Sequence, residues 1–277
     1  MKLLLCTLFL LCPTFTPAQN IDADFIKAAR AGDSTQVSAL IAKGANLNAQ
    51  DTQGRTALIR SAAWNHIAIV RMLLEAKADT ELKDNERSTA LIWATHYGRV
   101  EIVPLLLQAG AFPDAFNKYG YTPLIKAAFK GHLKIIQELL AKGVSINARN
   151  LYGYTALIRA SEQGHTRIVQ RLLQAGASVN TQNNHGYTAL MWAADKGHTE
   201  IVQKLIRAHA NVNIYNKYGH TALMRAVDKG HPETVKHLIE AGANINAKDK
   251  KGRTALTRAE ARDHAQIAHM LKQAGAN

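Results

Sequence analysis

The chain has 277 residues and a formal net charge of +13, which excludes a strongly acidic protein. Its length allows one large domain or two small ones. Beyond the first 18 residues, no apolar stretch is long enough to span a bilayer, so an integral membrane protein is not expected.

The N-terminal segment MKLLLCTLFLLCPTFTPA has the pattern of a secretory signal peptide. A basic start precedes a short apolar run, and small residues precede a cleavage position after Ala18. The alternative is a buried terminal helix, whereas a lipoprotein signal is disfavoured because large leucines precede both cysteines. We therefore predict a signal peptide over 1–18 and a single domain over 19–277. That domain would contain no cysteine, which suits a periplasmic or secreted protein.

A Thr-x-Leu motif recurs every 33 residues through the rest of the chain. Its threonines are Thr56, Thr89, Thr122, Thr155, Thr188, Thr221 and Thr254. One interval earlier, a degenerate copy begins at Ala23. Self-similarity at this period predicts about eight stacked units, with polar residues in the first and last units that mark them as caps.

Each unit has the pattern of two short helices and a turn. The threonine suits the start of the first helix, and Gly-His, as at Gly197-His198, separates it from the second. The second helix, for example IVQKLIRA at 201–208, has apolar residues at helical spacing. It ends at Gly-Ala, and an Asn-rich segment with glycine turns the chain into the next unit.

These motifs resemble the ankyrin repeat, and the resemblance runs from about residue 21 to the end. It implies an all-α, ankyrin-type solenoid of stacked helix-turn-helix repeats with projecting hairpin loops and a concave face that binds a protein. One departure is systematic, because the histidine that the family has after the leucine is absent. Ile59, Ile92, Ile125, Ile158, Met191, Met224 and Thr257 stand in its place. Apolar packing is expected to replace the hydrogen bond between repeats that the family makes there.

Local departures predict irregular backbone. Arg87 stands where the turn has glycine, and Lys77 and His209 occupy glycine positions at helix ends, at a strain of roughly 1 kcal/mol each. Pro104 falls inside a second helix, where it is expected to remove one backbone hydrogen bond and to cause a slight kink. Pro232 is expected to lie harmlessly in a first turn.

A search for catalytic chemistry finds no phosphate loop, nucleophile elbow or metalloprotease motif. Six histidines recur because the Gly-His turn recurs, which indicates a structural role. A column of carboxylates lies at equivalent places in three successive units, at Glu162, Asp195 and Asp228. Its expected spacing overlaps with that of the catalytic carboxylate pair of a glycosidase. Arginines three residues before Glu162 and Asp228 are expected to neutralise those two carboxylates. We therefore predict a non-enzymatic protein with no catalytic residues, metal site or cofactor.

Basic and aromatic residues recur at equivalent places on the first helices and at the turn tips. Aromatic and arginine side chains are the types enriched at interface hot spots, although a tyrosine beside glycine also serves as turn packing. An exposed Trp64 or Trp192 is harder to explain by packing. The predicted partner-binding residues are Tyr119, Tyr121, Lys126, Phe129, Tyr152, Tyr154, Arg159, Tyr187, Trp192, Tyr218 and Arg225.

The charge predicts an acidic protein as the partner. Basic residues interleaved with aromatics also suit nucleic acid, but export from the cytosol disfavours it. The partner would be an envelope enzyme that the chain assists or inhibits. The alternatives are a polysaccharide-binding or hydrolytic protein that uses the carboxylate column, or a secreted effector directed at a host. The oligomeric state is open, with a monomer as the expectation.

Overall fold

The computed structural model describes residues 21–277, so the predicted signal peptide lies outside the described residues. Within this range sixteen helices form eight pairs, and no strand occurs. The first helix of each pair is called inner and the second outer. The inner helices are α1 Ile21–Ala31, α3 Ala57–Trp64, α5 Ala90–His96, α7 Pro123–Lys130, α9 Ala156–Gln163, α11 Ala189–Lys196, α13 Ala222–Asp228 and α15 Ala255–Glu260. The outer helices are α2 Ser34–Ala42, α4 Ile67–Glu75, α6 Ile102–Gln108, α8 Leu133–Ala141, α10 Thr166–Gln174, α12 Thr199–Arg207, α14 Pro232–Glu240 and α16 Ala265–Gln273.

The repeated threonine starts every inner helix after α1. In the fourth unit, the Thr122 hydroxyl accepts a hydrogen bond from the Ile125 N–H at 3.3 Å, while Thr122 itself keeps an extended backbone. The bond satisfies one of the helix-end donors, and loss of such a cap costs about 1 kcal/mol. The same bond recurs at every other threonine of the set. The predicted role of the repeated threonine at the start of each inner helix is therefore confirmed.

In the second to eighth units an Asn or Asp shapes the turn that leads into the inner helix, and it is buried in each of them except the second, where Asp51 is partly exposed. The Asn117 side-chain oxygen accepts hydrogen bonds from the Tyr119 and Tyr121 N–H groups, both at 3.0 Å. The Leu151 N–H of the next turn donates to the Tyr119 carbonyl at 3.0 Å, which ties neighbouring turns together. Gly120 has a φ of +74°, and a Cβ there would lie 3.0 Å from the Leu151 nitrogen. Glycine is therefore favoured at the tip, although Arg87 takes the same left-handed conformation at the equivalent place in the third unit.

The Gly-His segments connect each unit to the one before it. The Nε2 of His132 lies 3.3 Å from the His96 carbonyl oxygen, and a Cβ on Gly98 would lie 2.6 Å from the His132 ring. Equivalent contacts are made by His66, His165, His198 and His231. In the third unit Arg99 replaces the histidine and donates to the Ala63 carbonyl through Nε and Nη2, at 3.0 and 2.8 Å. The structural role predicted for the histidines is confirmed for these five.

The apolar core runs along the whole stack between inner and outer helices. Ile59, Ile125 and Met191, which replace the family histidine, are each 1% exposed, so apolar packing does fill their positions. Neighbouring inner helices pack against each other more extensively than neighbouring outer helices do. The stack therefore curves, with its concave face on the inner helices and the turns.

The expectation for Pro104 is wrong. Helix α6 begins only at Ile102, so Pro104 lies in its first turn, where the backbone N–H has no partner within the helix in any case. Two turn residues after Arg99 delay the helix start and accommodate the proline without a lost hydrogen bond. Pro232 takes the first position of α14, as predicted.

The other predicted irregularities are confirmed. The φ angles of Lys77, Arg87 and His209 are 67°, 58° and 60°, in the left-handed region that residues other than glycine seldom adopt.

Between residues 21 and 277, no helix combines the length and apolar character needed to cross a bilayer.

Candidate partner-binding surface

A row of aromatic and cationic side chains lies along the concave face of the middle units. We call it the aromatic–cation row, and it consists of Tyr121, Lys126, Phe129, Tyr154, Arg159, Tyr187, Trp192 and Arg225. The tyrosines come from the turns and the other residues from inner helices α7, α9, α11 and α13. All of them are partly buried. The structure therefore brings eight of the eleven predicted site residues together.

At one end of the row, cations lie over tyrosine rings. The Lys126 Nζ is 4.4 Å from the Tyr121 ring centre. The Arg159 guanidinium lies 3.5 Å from the Tyr154 ring centre and donates to the Tyr121 hydroxyl at 2.8 Å. It also lies 5.4 Å from the Phe129 ring centre. Arg159 therefore joins aromatic rings from two adjacent units.

Trp192 continues the row toward the C-terminus. Its ring centre lies 5.0 Å from that of Tyr187 and 6.4 Å from that of Tyr154. The Arg225 guanidinium lies 5.8 Å from the Tyr187 ring centre. The expectation that Trp192 is exposed is wrong, because these tyrosines pack against it and leave it half-buried. Burial also raises the pKa of both Tyr154 and Tyr187.

The other three predicted residues stand at the turn tips. Tyr119, Tyr152 and Tyr218 are 40%, 48% and 51% exposed. Their backbones are fixed in the turns, since each N–H donates to the side-chain oxygen of a buried asparagine. They supply accessible aromatic area at a small entropic cost on binding.

This Asn or Asp of the turn sets the charge beside the row. In the second, third and eighth units it is Asp51, Asp84 or Asp249, and each carboxylate pairs with arginine. In the four units between, it is asparagine, which carries no charge. The row therefore lies where the turns contribute no neutralising carboxylate. This arrangement leaves positive charge on the concave face of the middle units.

Lys126 is the clearest example of a positive charge that no carboxylate of the described chain offsets. Burial, together with the charges of Lys130 and Arg159, lowers the pKa of its ammonium group. Among residues 21–277, no carboxylate lies within ion-pair distance of Lys126 or Lys130. Both cations can therefore gain from a carboxylate that a ligand provides.

The carboxylate column is neutralised by arginine. Arg159 pairs with Glu162 at 2.7 Å, as predicted, and Arg225 pairs with both Asp195 and Asp228. Asp228 also pairs with Arg258, at 2.7 Å. The Arg225–Asp195 and Arg258–Asp228 pairs each join neighbouring units. The geometry thus gives these residues a structural role. In the described part of the chain, no cluster of His, Cys, Asp or Glu is arranged to hold a metal ion.

Several half-buried histidines predict acid sensitivity. Burial and the charges of Lys126 and Lys130 lower the pKa of His96 from 6.5 to about 4. Burial also lowers the pKa of His132 and His198. The unfolded chain keeps the ordinary value, so it takes up protons first as the pH falls. Stability should therefore be complete above about pH 6.5 and decline toward pH 4.

Urea unfolding at about pH 7.5 and about pH 5 measures this decline. The matched variant is His96→Phe, since Phe129 occupies the equivalent place in the next unit. It should lose less stability between the two pH values than the parent. An equal loss would show that His96 does not contribute.

The predicted site residues leave out a group at the N-terminal end of the concave face. Arg55 lies over the Trp93 ring at 4.6 Å, and Trp93 stacks on Tyr97. The spacing of Trp93 and Tyr97, four residues apart on a helix, was the available signal. Arg55 and Arg99 gave none, because they come from loops of different units.

Comparison with known proteins agrees with this architecture. A family model described as "Ankyrin repeats (3 copies)" matches residues 25–117, 77–150, 112–183, 158–249 and 190–277. The protein YahD of Escherichia coli (strain K12), whose name also refers to ankyrin repeats, is 35% identical over 60 residues. That alignment spans 22% of this chain and 30% of YahD. The chain belongs to the ankyrin repeat family, whose repeats indicate a protein–protein interaction module.

Proposed function

We propose that the chain grips an acidic partner protein through its concave face, as a non-enzymatic accessory or inhibitor of an envelope enzyme. The observation that carries the proposal is the uncompensated charge of Lys126 inside the aromatic–cation row. A half-buried ammonium group without a carboxylate is costly, and a partner's carboxylate would offset that cost. The surrounding rings add contact area of the type that dominates interface energies.

The distribution of charge supports an acidic partner in particular. Lys126 and Lys130 have no ion-pair partner among the described residues, whereas Arg159 and Arg225 are already paired. The lysines would therefore attract the partner and speed association. The exposed rings of Tyr119, Tyr152 and Tyr218 would make the contacts that hold it.

The envelope location rests on the N-terminal sequence. We expect the mature chain to begin near Gln19, because a short apolar run and small residues precede that position. N-terminal sequencing of the protein recovered from cell fractions measures this. A cytosolic protein that retains Met1 would overturn the export proposal.

Charge reversal tests the proposed interface. In Lys126→Glu/Lys130→Glu, association with the captured partner should slow by about tenfold or more at low salt, and the effect should shrink as salt rises. Stopped-flow mixing at two ionic strengths gives the rate constants.

The matched control is Lys134→Glu/Lys142→Glu on the exposed side of α8 and its C-terminal loop. Both double variants change the net charge equally. Equal slowing in the two variants would show that net charge, and not the concave face, steers the partner.

A further inference from the structure

A cleft of about 370 Å³ opens on the concave face where the first three units meet. Its walls come from the end of α1, the turn before α3, the two inner helices α3 and α5, and the loop after α5. Its size falls in the range of ligand pockets. We call it the tryptophan cleft, and it contains none of the residues of the aromatic–cation row.

Aromatic rings form two sides of the cleft. The Trp93 and Tyr97 rings are stacked, with centres 5.7 Å apart and planes 16° apart. Trp64 is 56% exposed and Tyr97 is 47% exposed. Trp64 and Tyr97 occupy equivalent places in adjacent units. The next five units have Lys130, Gln163, Lys196, Lys229 and Arg262 at this place. The paired rings are therefore particular to the cleft and are not demanded by the repeat.

Two of the four arginines in the cleft are paired with aspartates. The Arg60 Nε donates to Asp51 at 2.9 Å, and Arg60 is 8% exposed. The Arg55 Nε lies 3.4 Å from Asp84. Both carboxylates belong to the turn residues described above, and neither lines the cleft.

The other two arginines have no carboxylate partner in the part of the chain that the structure describes. Arg99 donates to the neutral Ala63 carbonyl, and that contact fixes its guanidinium without offsetting its charge. Arg30 is exposed, and its guanidinium lies 6.0 Å from the Trp64 ring centre. The cleft thus combines flat apolar walls with two uncompensated cations.

A smaller cleft of about 150 Å³ borders both this site and the aromatic–cation row. It shares Trp93 with the tryptophan cleft and is also lined by Tyr119 and Lys126. An extended peptide rises about 3.3 Å per residue, so a segment of several residues is long enough to contact both clefts. This adjacency favours a segment of polypeptide over an isolated small molecule.

We infer that the tryptophan cleft binds an acidic segment of the partner in which an aromatic side chain stands beside carboxylates. The ring would lie against Trp64 and Tyr97, and the carboxylates would pair with Arg30 and Arg99. The inference rests on the proposed function in taking the partner to be an acidic protein, but it concerns a separate site.

The probe is an acetylated and amidated hexapeptide, Asp-Phe-Glu-Asp-Phe-Glu, compared with Asn-Phe-Gln-Asn-Phe-Gln and with adenosine monophosphate. The chain contains three tryptophans, Trp64, Trp93 and Trp192, which 5-fluorotryptophan labelling reports separately by ¹⁹F NMR. The acidic peptide, at up to about 1 mM, should shift Trp64 and Trp93, and its amide match should not. Arg30→Glu and Trp64→Ala should each weaken binding at least about tenfold. Arg71→Glu, on the exposed side of α4, should leave it within about twofold.

Three results would overturn the inference: no shift at Trp64 or Trp93, equal binding of the amide peptide, or shifts with adenosine monophosphate alone. A shift confined to Trp192 would place the acidic segment on the aromatic–cation row and leave the proposed function intact. If capture of the partner depends on Lys126 and Lys130 but not on Arg30, the inference about the tryptophan cleft is wrong and the proposed function stands.

Discussion

Replacing Tyr154 with alanine is expected to weaken binding of the partner at least about tenfold. Tyr154 lies at the centre of the aromatic–cation row, under the Arg159 guanidinium and beside Trp192. Its removal withdraws aromatic area and also takes away the ring over which the Arg159 guanidinium lies. Calorimetric titration of the captured partner measures the loss.

Because Tyr154 is half-buried, its variant also requires a measurement of folding. The companion Tyr152→Ala removes an exposed ring from the same turn and should weaken binding at an unchanged melting temperature. The matched control is Phe112→Ala, an exposed ring in the loop after outer helix α6. Normal binding by both tyrosine variants would refute the assignment of the row, and weakened binding by Phe112→Ala would move the interface off the concave face.

Replacing Arg258 with alanine is expected to cost about 3 kcal/mol of folding free energy. The Arg258 side chain is 2% exposed and pairs with Asp228 and Asp249. Burial alone would raise the pKa of Asp249, but hydrogen bonds from Arg253, Lys251 and Arg258 hold it below its usual range. Loss of Arg258 leaves two buried carboxylates with fewer partners. Urea unfolding at neutral pH measures the free energy.

Arg262 provides a matched comparison, because it pairs with the same carboxyl group of Asp228 at 3.1 Å but its side chain is 40% exposed. Arg262→Ala should cost less than about 1 kcal/mol. If the two variants were equally stable, burial of the C-terminal ion pairs would contribute nothing to folding.

The regular part of the fold could be predicted because the residues that determine each unit lie within that unit or next to it. A threonine that caps a helix, a glycine that needs a positive φ and a histidine that reaches the preceding unit all act within one or two repeats. Pro104 was misjudged because the repeat was assumed to begin its second helix at a fixed place. In the third unit two turn residues follow Arg99, and helix α6 begins only at Ile102.

The candidate site was only partly predictable for a related reason. Repeated columns indicate which residues share a face, so Tyr121, Lys126 and Arg159 were expected together. Equivalent positions do not show how deeply a side chain is buried, so the packing of two tyrosines on Trp192 could be recognised only from the three-dimensional contacts. The tryptophan cleft needed more still, because Arg30 and Arg99 come from different units.

Site-specific photo-crosslinking tests the concave-face account most directly. A photoreactive phenylalanine is placed at Tyr152, at a turn tip on the concave side, or at Arg167, on the exposed side of outer helix α10. Each variant is irradiated in the presence of the captured partner. The account predicts a crosslinked product from position 152 and none from position 167. A product from position 167 alone would contradict it and place the partner on the outer helices.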